Sequence, residues 1–199
     1  MSPRLRIELD TRPLYRVGAD LLVIPFGGEQ PFERGPFAWV DWRLCGLLRR
    51  QLREAGWEKP GSAALAPSGG RLRAPWILAV SMGDAPGALS DAVGEAASLW
   101  LSRVLALAAP RVALALPEGR SPGRAAEEIV RVWGDGLERA GAALDVRMAV
   151  SADAARDARD GLANVAKAAL PGIEIAPGSL PAPPGPTGAR PGAVAAAPR

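Results

Sequence analysis

The sequence predicts an α/β layered domain with a mixed central sheet. Three observations support this class. The apolar residues Leu21–Ile24 run without interruption, which is typical of a strand covered on both faces. In the second half of the chain, segments with apolar residues at helical spacing alternate with further apolar runs. A length of 199 residues, of which 48% are hydrophobic, is enough for one domain with a proper core.

Two strands and a loop are predicted at the start of the chain. Arg4–Leu9 alternates polar and apolar residues, as a half-buried or edge strand does. Asp20–Phe26 contains the continuous apolar run and is therefore expected to be a central strand. Gly27 and Gly28 follow it as a loop.

One amphipathic helix is predicted after this loop. Apolar residues recur at helical spacing from Trp39 to Leu52, and arginines occupy the opposite side. Gly56 is a typical helix end. Cys45 falls on the apolar side, so we expect a small buried side chain there.

A hairpin is predicted next. Ser62–Pro67 and Pro75–Ser81 are short apolar segments, and Ser68, Gly69 and Gly70 between them favour a turn. The two segments are expected to pair with each other.

Helices and strands alternate over the rest of the predicted domain. The predicted segments are a helix from Ser90 to about Ala108, a strand at Arg111–Leu116, a helix from Ser121 to about Gly141, a strand at Leu144–Val150 and a helix from Ser151 to Leu170. The start at Ser121 is the clearest local signal, because a capping hydroxyl precedes a proline at the first helical position.

The last part of the chain differs in composition. Residues 171–199 are almost wholly Pro, Gly, Ala and Ser, and Ile173 and Ile175 are the last clustered aliphatic residues. Such a segment buries too little apolar surface to offset its ordering entropy. We therefore predict a folded domain over residues 1–170 and a disordered C-terminal tail over residues 171–199.

Charge and hydropathy limit which classes of partner, and which location of the protein, are expected. The chain has 24 basic and 21 acidic residues, mixed along its length, and no basic stripe interleaved with aromatic residues. This pattern argues against nucleic acid as a partner. The longest apolar region, residues 98–117, is broken by Arg103, Pro110 and Arg111, and the N-terminus lacks the apolar core of a secretory signal. We expect no membrane partner and a cytoplasmic location.

The usual catalytic groups are scarce. There is no histidine to activate a serine or cysteine nucleophile, and Cys45 is the only cysteine. Acidic residues cluster at residues 127–128 and at residues 153–160, and those of the second cluster lie at helical spacing with arginines interleaved, which is typical of a solvated, ion-paired face. We therefore expect no catalytic residue, no metal and no cofactor, that is, a protein that is not an enzyme.

Four segments carry a resemblance to a known family. They are Gly18–Phe26 (GADLLVIPF), Pro60–Gly70 (PGSAALAPSGG), Trp76–Asp84 (WILAVSMGD) and Arg111–Gly119 (RVALALPEG). In order and spacing they resemble the N-terminal domain of the leucyl aminopeptidase (cytosol aminopeptidase) family, which implies a macro-domain-like fold with helices on both faces of the sheet.

The family's metal ligands lie in a C-terminal catalytic domain that has no counterpart here. The resemblance therefore implies a stand-alone, non-catalytic relative that acts in assembly or regulation. Its partners would be further copies of itself or aminopeptidase subunits. Metallo-aminopeptidase activity lacks chemical support.

An alternative function is binding of ADP-ribose or another phosphorylated nucleotide. Open α/β sheets bind ligands at the carboxyl ends of their strands, and a free helix N-terminus favours an anion. The candidate ligand-binding residues lie in loops after two central strands, and they are Gly27, Gly28, Gly119, Arg120, Ser121 and Arg124. In macro domains the corresponding loops hold the diphosphate of ADP-ribose, but the Asn-Ala-Ala-Asn run of those domains is absent here. The same glycines could equally serve as simple connectors. Trp39 and Trp42, at the start of the helix beside the loop, are the tryptophans expected to touch a ligand or a subunit.

Overall fold

A computed structural model describes residues 4–27, 32–33, 35–83, 93–117 and 121–179. Within these residues seven strands form one sheet in the order β3-β4-β2-β5-β6-β1-β7. The strands are β1 Leu5–Asp10, β2 Leu21–Phe26, β3 Ala63–Pro67, β4 Trp76–Ser81, β5 Arg111–Ala115, β6 Leu144–Ala149 and β7 Ile173–Ile175. The β3–β4 pair is antiparallel, as the predicted hairpin requires, and the other five pairs are parallel. The predicted mixed sheet is confirmed.

Helices cover both faces of this sheet, as predicted. They are α1 Gly35–Arg43, α2 Leu47–Ala55, α3 Val93–Ala106, α4 Pro122–Ala140 and α5 Ala155–Ala168. The helices α3, α4 and α5 pack on one face around the fully buried Trp100 and Trp133. The helices α1 and α2 pack on the other face through residues such as Phe37 and Leu48. Among the described helices, none is long and apolar enough to cross a membrane.

Strand β2 lies in the interior of the sheet, between β4 and β5. All six of its residues are buried. Leu21 and Val23 belong to the core beneath α3 and α4, whereas Leu22 and Ile24 belong to the core beneath α1 and α2. The uninterrupted apolar run therefore reflects burial on two faces, and the expectation of a central strand is confirmed.

The predicted single helix from Trp39 to Leu52 is wrong, because the chain breaks into α1 and α2. Cys45 and Gly46 between them have positive φ values of 55° and 75°. The N–H of Gly46 donates to the carbonyl oxygen of Asp41 at 2.9 Å, which ends α1. Because the backbone leaves the helical conformation here, Cys45 departs from the apolar stripe and is exposed. Its predicted burial is also wrong.

Part of the predicted tail belongs to the folded domain. Strand β7 pairs with β1 in parallel, and Ile173 and Ile175 pack against the core. The buried Ser179 accepts a hydrogen bond from the N–H of Leu9 at 2.6 Å. Three paired residues give no detectable periodicity, so β7 was not predictable from composition. The remaining tail, residues 180–199, lies outside the described residues.

Helices α4 and α5 meet backbone to backbone. A Cβ atom on Gly161 of α5 would overlap the carbonyl oxygen of Gly123 on α4. A Cβ atom on Gly123 would in turn overlap the backbone of Asp157. Glycine at these two positions therefore sets the distance between the helices and brings Asp157 to the start of α4.

Gly161→Ala is expected to lower the free energy of unfolding by roughly 1–3 kcal/mol, because the added methyl group must push α4 and α5 apart. Urea unfolding measures this loss. Gly178→Ala is the control, since a Cβ atom there meets nothing within 4 Å. Equal stability of the two variants would contradict the close helix contact.

Truncation after Leu170 is expected to lower the melting temperature, because it removes the pairing of β7 with β1 and the contacts of Ile173. Truncation after Ser179 keeps every one of these contacts and is expected to leave the melting temperature nearly unchanged. Differential scanning calorimetry of the two truncated chains compares them. Identical melting temperatures would show that β7 contributes nothing to stability.

Candidate functional site

A cleft of about 570 Å³ opens at the carboxyl edge of the sheet. Its floor is formed by Ala115 at the end of β5 and Ala149 at the end of β6. Helix α1 supplies one wall, and the segment Thr11–Tyr15 after β1 supplies the other. This volume is typical of small-molecule sites, and the place is where parallel α/β sheets bind ligands.

The walls of the cleft combine aromatic rings with arginine side chains. The guanidinium of Arg43 lies 4.0 Å from the centroid of the Tyr15 ring, which is close enough for a cation–π contact. Trp39, at the mouth, is 68% exposed and meets Trp42 edge to face, with 6.4 Å between ring centroids. Arg12 lines the opposite wall. The cleft therefore offers flat apolar surfaces and positive charge side by side.

Asp10 and Arg12 form a closed pair beside the cleft. The Asp10 carboxylate is only 5% exposed and accepts hydrogen bonds from the Arg12 Nε to both of its oxygens, at 2.9 and 3.1 Å. The backbone N–H of Arg12 donates to the same carboxylate at 2.9 Å. These bonds from Arg12 lower the pKa of Asp10 against the opposing effect of burial. The carboxylate is thus held as an anion, and its oxygens are already used.

The predicted loop residues are only partly described. Strands β2 and β5 are neighbours in the sheet, so the loops that follow them leave the same edge, as expected. A Cβ atom on Gly27 would lie 2.8 Å from the carbonyl oxygen of Gly83, so Gly27 is packed against the chain that follows β4. Gly28, Gly119 and Arg120 lie outside the described residues.

The predicted anion site at the start of α4 is occupied by the protein itself. Ser121 caps the helix as predicted, since its Oγ accepts from the N–H of Arg124 at 3.3 Å. The Asp157 carboxylate of α5 accepts from the Ser121 hydroxyl at 2.8 Å and from the N–H of Gly123 at 3.0 Å. An internal carboxylate therefore takes the position that the sequence suggested for a ligand phosphate.

Of the predicted loop residues that the structure describes, none lines the cleft. Gly27, Ser121 and Arg124 do not line it, whereas Trp39 does, as expected. Sequence reasoning missed Arg12 and Arg43, because arginines are spread over the whole chain and nothing local distinguishes these two. The described residues contain no group of three or more His, Cys, Asp or Glu side chains that could hold a metal ion.

The described residues form a three-layer α/β domain with an aromatic and cationic cleft at the strand ends. No family model and no curated protein matches the sequence. Solved structures do match the fold, and macrodomains are among them. A variant of the Oceanobacillus iheyensis macrodomain, solved with ADPR, has a TM-score of 0.61 at 12% identity over 81% of this chain and 94% of that one.

Two further macrodomains show the same likeness. The macrodomain of Thermus aquaticus DarG has a TM-score of 0.56 at 14% identity, over 73% of this chain and 99% of that one. The Trypanosoma brucei macrodomain in complex with ADP-ribose has a TM-score of 0.62 at 15% identity, over 78% of this chain and 68% of that one. The chain therefore has a macrodomain-like fold.

The resemblance to the leucyl aminopeptidase N-terminal domain is wrong as a family assignment. The structural neighbours are macrodomains, and none of the comparisons supports an aminopeptidase relationship. The four segments that carried the resemblance are mostly buried strands and glycine turns, which the layered sheet itself requires. They indicated the fold correctly but not the family. The interpretation as a relative of that domain acting in assembly or regulation, together with aminopeptidase subunits as partners, falls with it.

Asp10→Asn is expected to lower the free energy of unfolding at neutral pH, because Arg12 loses its anionic partner. The pKa of Asp10 is lowered in the folded state from its ordinary value of 3.8, so its carboxylate stabilises the fold fully above pH 3.8. As the pH falls below that value and through the folded-state pKa, this stabilisation is lost. The difference between the variant and the parent should therefore shrink in acid.

Urea unfolding at a series of pH values checks this dependence. The control is Asp135→Asn, at an exposed position of α4. A stability difference for Asp10→Asn that stays constant down to the lowest pH would contradict the role of the ionised carboxylate.

Proposed function

We propose that the chain binds ADP-ribose, or a closely related phosphorylated nucleotide, in the cleft at the carboxyl edge of its sheet. One observation carries the proposal: a cleft of about 570 Å³ lies at the strand ends of a fold whose solved neighbours include macrodomains with ADP-ribose bound. The aromatic and cationic lining fits the two chemical parts of such a ligand.

The rings at the cleft suit a base or a sugar face. Trp39 and Tyr15 present flat apolar surfaces, and stacking of a base on an aromatic side chain contributes roughly 1–3 kcal/mol. Arg43 is already held against Tyr15, so little conformational entropy is lost when it meets a ligand.

The arginines suit the diphosphate. Arg12 and Arg43 both line the cleft, and guanidinium groups bind phosphate oxygens through paired N–H donors. The Nε and Nη2 of Arg12 already donate to Asp10, so Arg43 is the stronger candidate of the two. Asp157 occupies the start of α4, so this helix N-terminus is not free to bind a phosphate. Among the described residues, Arg12 and Arg43 are the positive side chains that line the cleft and could bind the diphosphate. Replacing either arginine by a neutral residue is a second test of the same ADP-ribose site.

We propose binding without catalysis. A hydrolytic step would need a general base, and the chain has no histidine. The buried carboxylate beside the cleft, Asp10, has a lowered pKa and both oxygens engaged by Arg12, so it is a poor proton acceptor. Release of ADP-ribose from an ADP-ribosylated protein, followed by mass spectrometry, tests this proposal, and turnover would overturn it.

A cytoplasmic location remains a prediction.

Trp39→Ala is expected to weaken ADP-ribose binding by about tenfold, because the ligand loses one stacking surface. Isothermal titration calorimetry measures the dissociation constant. The matched control is Trp76→Ala, which removes a 47% exposed tryptophan at the amino end of β4, away from the cleft. No measurable binding of ADP-ribose to the parent chain, or an equal loss in the two variants, would overturn the proposal.

A further inference from the structure

An exposed aromatic and basic face continues outward from the cleft along α1. It consists of Trp39, Trp42, Arg16, Arg43 and Arg50, and we call it the α1 face. Trp39 and Trp42 are 68% and 69% exposed, the two highest values among the exposed large hydrophobic side chains. Exposed apolar surface of this kind marks interaction sites in soluble domains.

The exposure of these tryptophans is not the result of poor packing of α1. Phe37 and Val40, on the other side of the same helix, are each only 2% exposed and belong to the core. Helix α1 therefore has its buried side satisfied, and the two indoles project from the opposite side. They meet edge to face, with 6.4 Å between their ring centroids.

The arginines of the α1 face are without ion-pair partners in the part of the chain that the structure describes. Among the described residues, Arg16, Arg43 and Arg50 have no carboxylate within ion-pair distance. Arg16 and Arg43 instead lie over the Tyr15 ring, at 5.7 and 4.0 Å from its centroid.

Arg50 of α2 adds positive charge beyond the C-terminal end of α1. Its Nη1 donates to the carbonyl oxygen of Cys45 at 2.9 Å, just past the end of the helix. The Arg43 guanidinium is also 6.0 Å from the Trp42 ring centroid, so the charges and the indoles are interleaved.

We propose that the α1 face binds a single-stranded nucleic acid. Indole rings stack on unpaired bases without sequence preference, and unpaired arginines beside them neutralise backbone phosphates. Duplexes hide their base faces and cannot use the tryptophans. The sequence argued against nucleic acid because the basic and aromatic residues come from three separate stretches, and only the fold assembles them.

Aromatic and basic residues could also suit a lipid surface, but the position of the cleft favours nucleic acid as the partner. Trp39 belongs both to the α1 face and to the cleft wall, so a strand lying on the face runs directly into a nucleotide-sized cavity. This part of the argument rests on the proposed function. A membrane anchor would also need a broader apolar surface than two indoles flanked by arginines.

Fluorescence anisotropy with labelled oligonucleotides tests the proposal. A length of about ten nucleotides spans the usual site size for such surfaces. The parent chain should bind single-stranded DNA or RNA, with separate titrations to tell the two apart, and should bind the duplex at least about fivefold more weakly. If the three arginines neutralise three phosphates, a plot of the logarithm of the affinity against the logarithm of the salt concentration should have a slope of about −2.

Trp42→Ala is the decisive variant, because Trp42 does not line the cleft. It should weaken strand binding at least about fivefold, and it should weaken ADP-ribose binding by a smaller factor than Trp39→Ala does, because Trp42 reaches the cleft only through its contact with Trp39. Arg50→Ala should weaken strand binding and reduce the salt slope. The matched controls, Trp76→Ala and the exposed Arg139→Ala of α4, should change neither.

Several outcomes would overturn the proposal. These are no binding of either single strand, equal binding of polyglutamate, stronger binding of vesicles containing anionic lipid, or the same loss in the control variants. Strand binding that depends on Trp42 in a chain that does not bind ADP-ribose would retain this inference and remove the proposed function. The opposite pattern would retain the proposed function alone.

Discussion

Parallel pairing of the strands is the constraint on which the site depends. Five of the six pairs in the sheet are parallel, so the carboxyl ends of β1, β2, β4, β5, β6 and β7 all reach one edge. Every loop that leaves this edge must turn beside its neighbours, and the floor of the cleft is simply the last residue of β5 and of β6. The buried strand β2 holds the arrangement together, because it contributes side chains to the cores on both faces. A ligand cavity at this edge follows from the topology, whichever side chains line it.

The chemistry of the cleft is set by how its charges are partnered. Close contact of α4 with α5 at Gly123 and Gly161 brings Asp157 onto the start of α4, where it satisfies the Gly123 N–H and the Ser121 hydroxyl. Positive character at the cleft then comes from arginine side chains rather than from a helix terminus. Arg12 is neutralised by Asp10, whereas Arg43 is stacked on Tyr15 and has no carboxylate partner in the described part of the chain. The wall formed by α1 is therefore the more positive of the two, and it is the wall that continues into the α1 face.

Much of the fold was predictable because its signals are local. The apolar run of β2, the glycine turn between β3 and β4, and the Ser121–Pro122 start of α4 each depend on a few adjacent residues. The errors arose where distant contacts override local pattern. Helical spacing continues through Cys45 and Gly46, yet the chain turns there because the break allows α2 to pack separately beneath the sheet. Strand β7 has only three residues and exists because β1 offers a free edge.

The sequence by itself determined the layered α/β class, the central place of β2 and the capped start of α4, because apolar periodicity and capping act over short distances. It also placed Trp39 among the residues expected to meet a ligand. Only the tertiary structure decided which residues share the cleft. Arg12 and Tyr15 follow β1, Trp39 and Arg43 lie on α1, and Ala115 and Ala149 end two later strands. These positions are brought together by strand order and helix packing, neither of which is encoded in the spacing of the residues themselves.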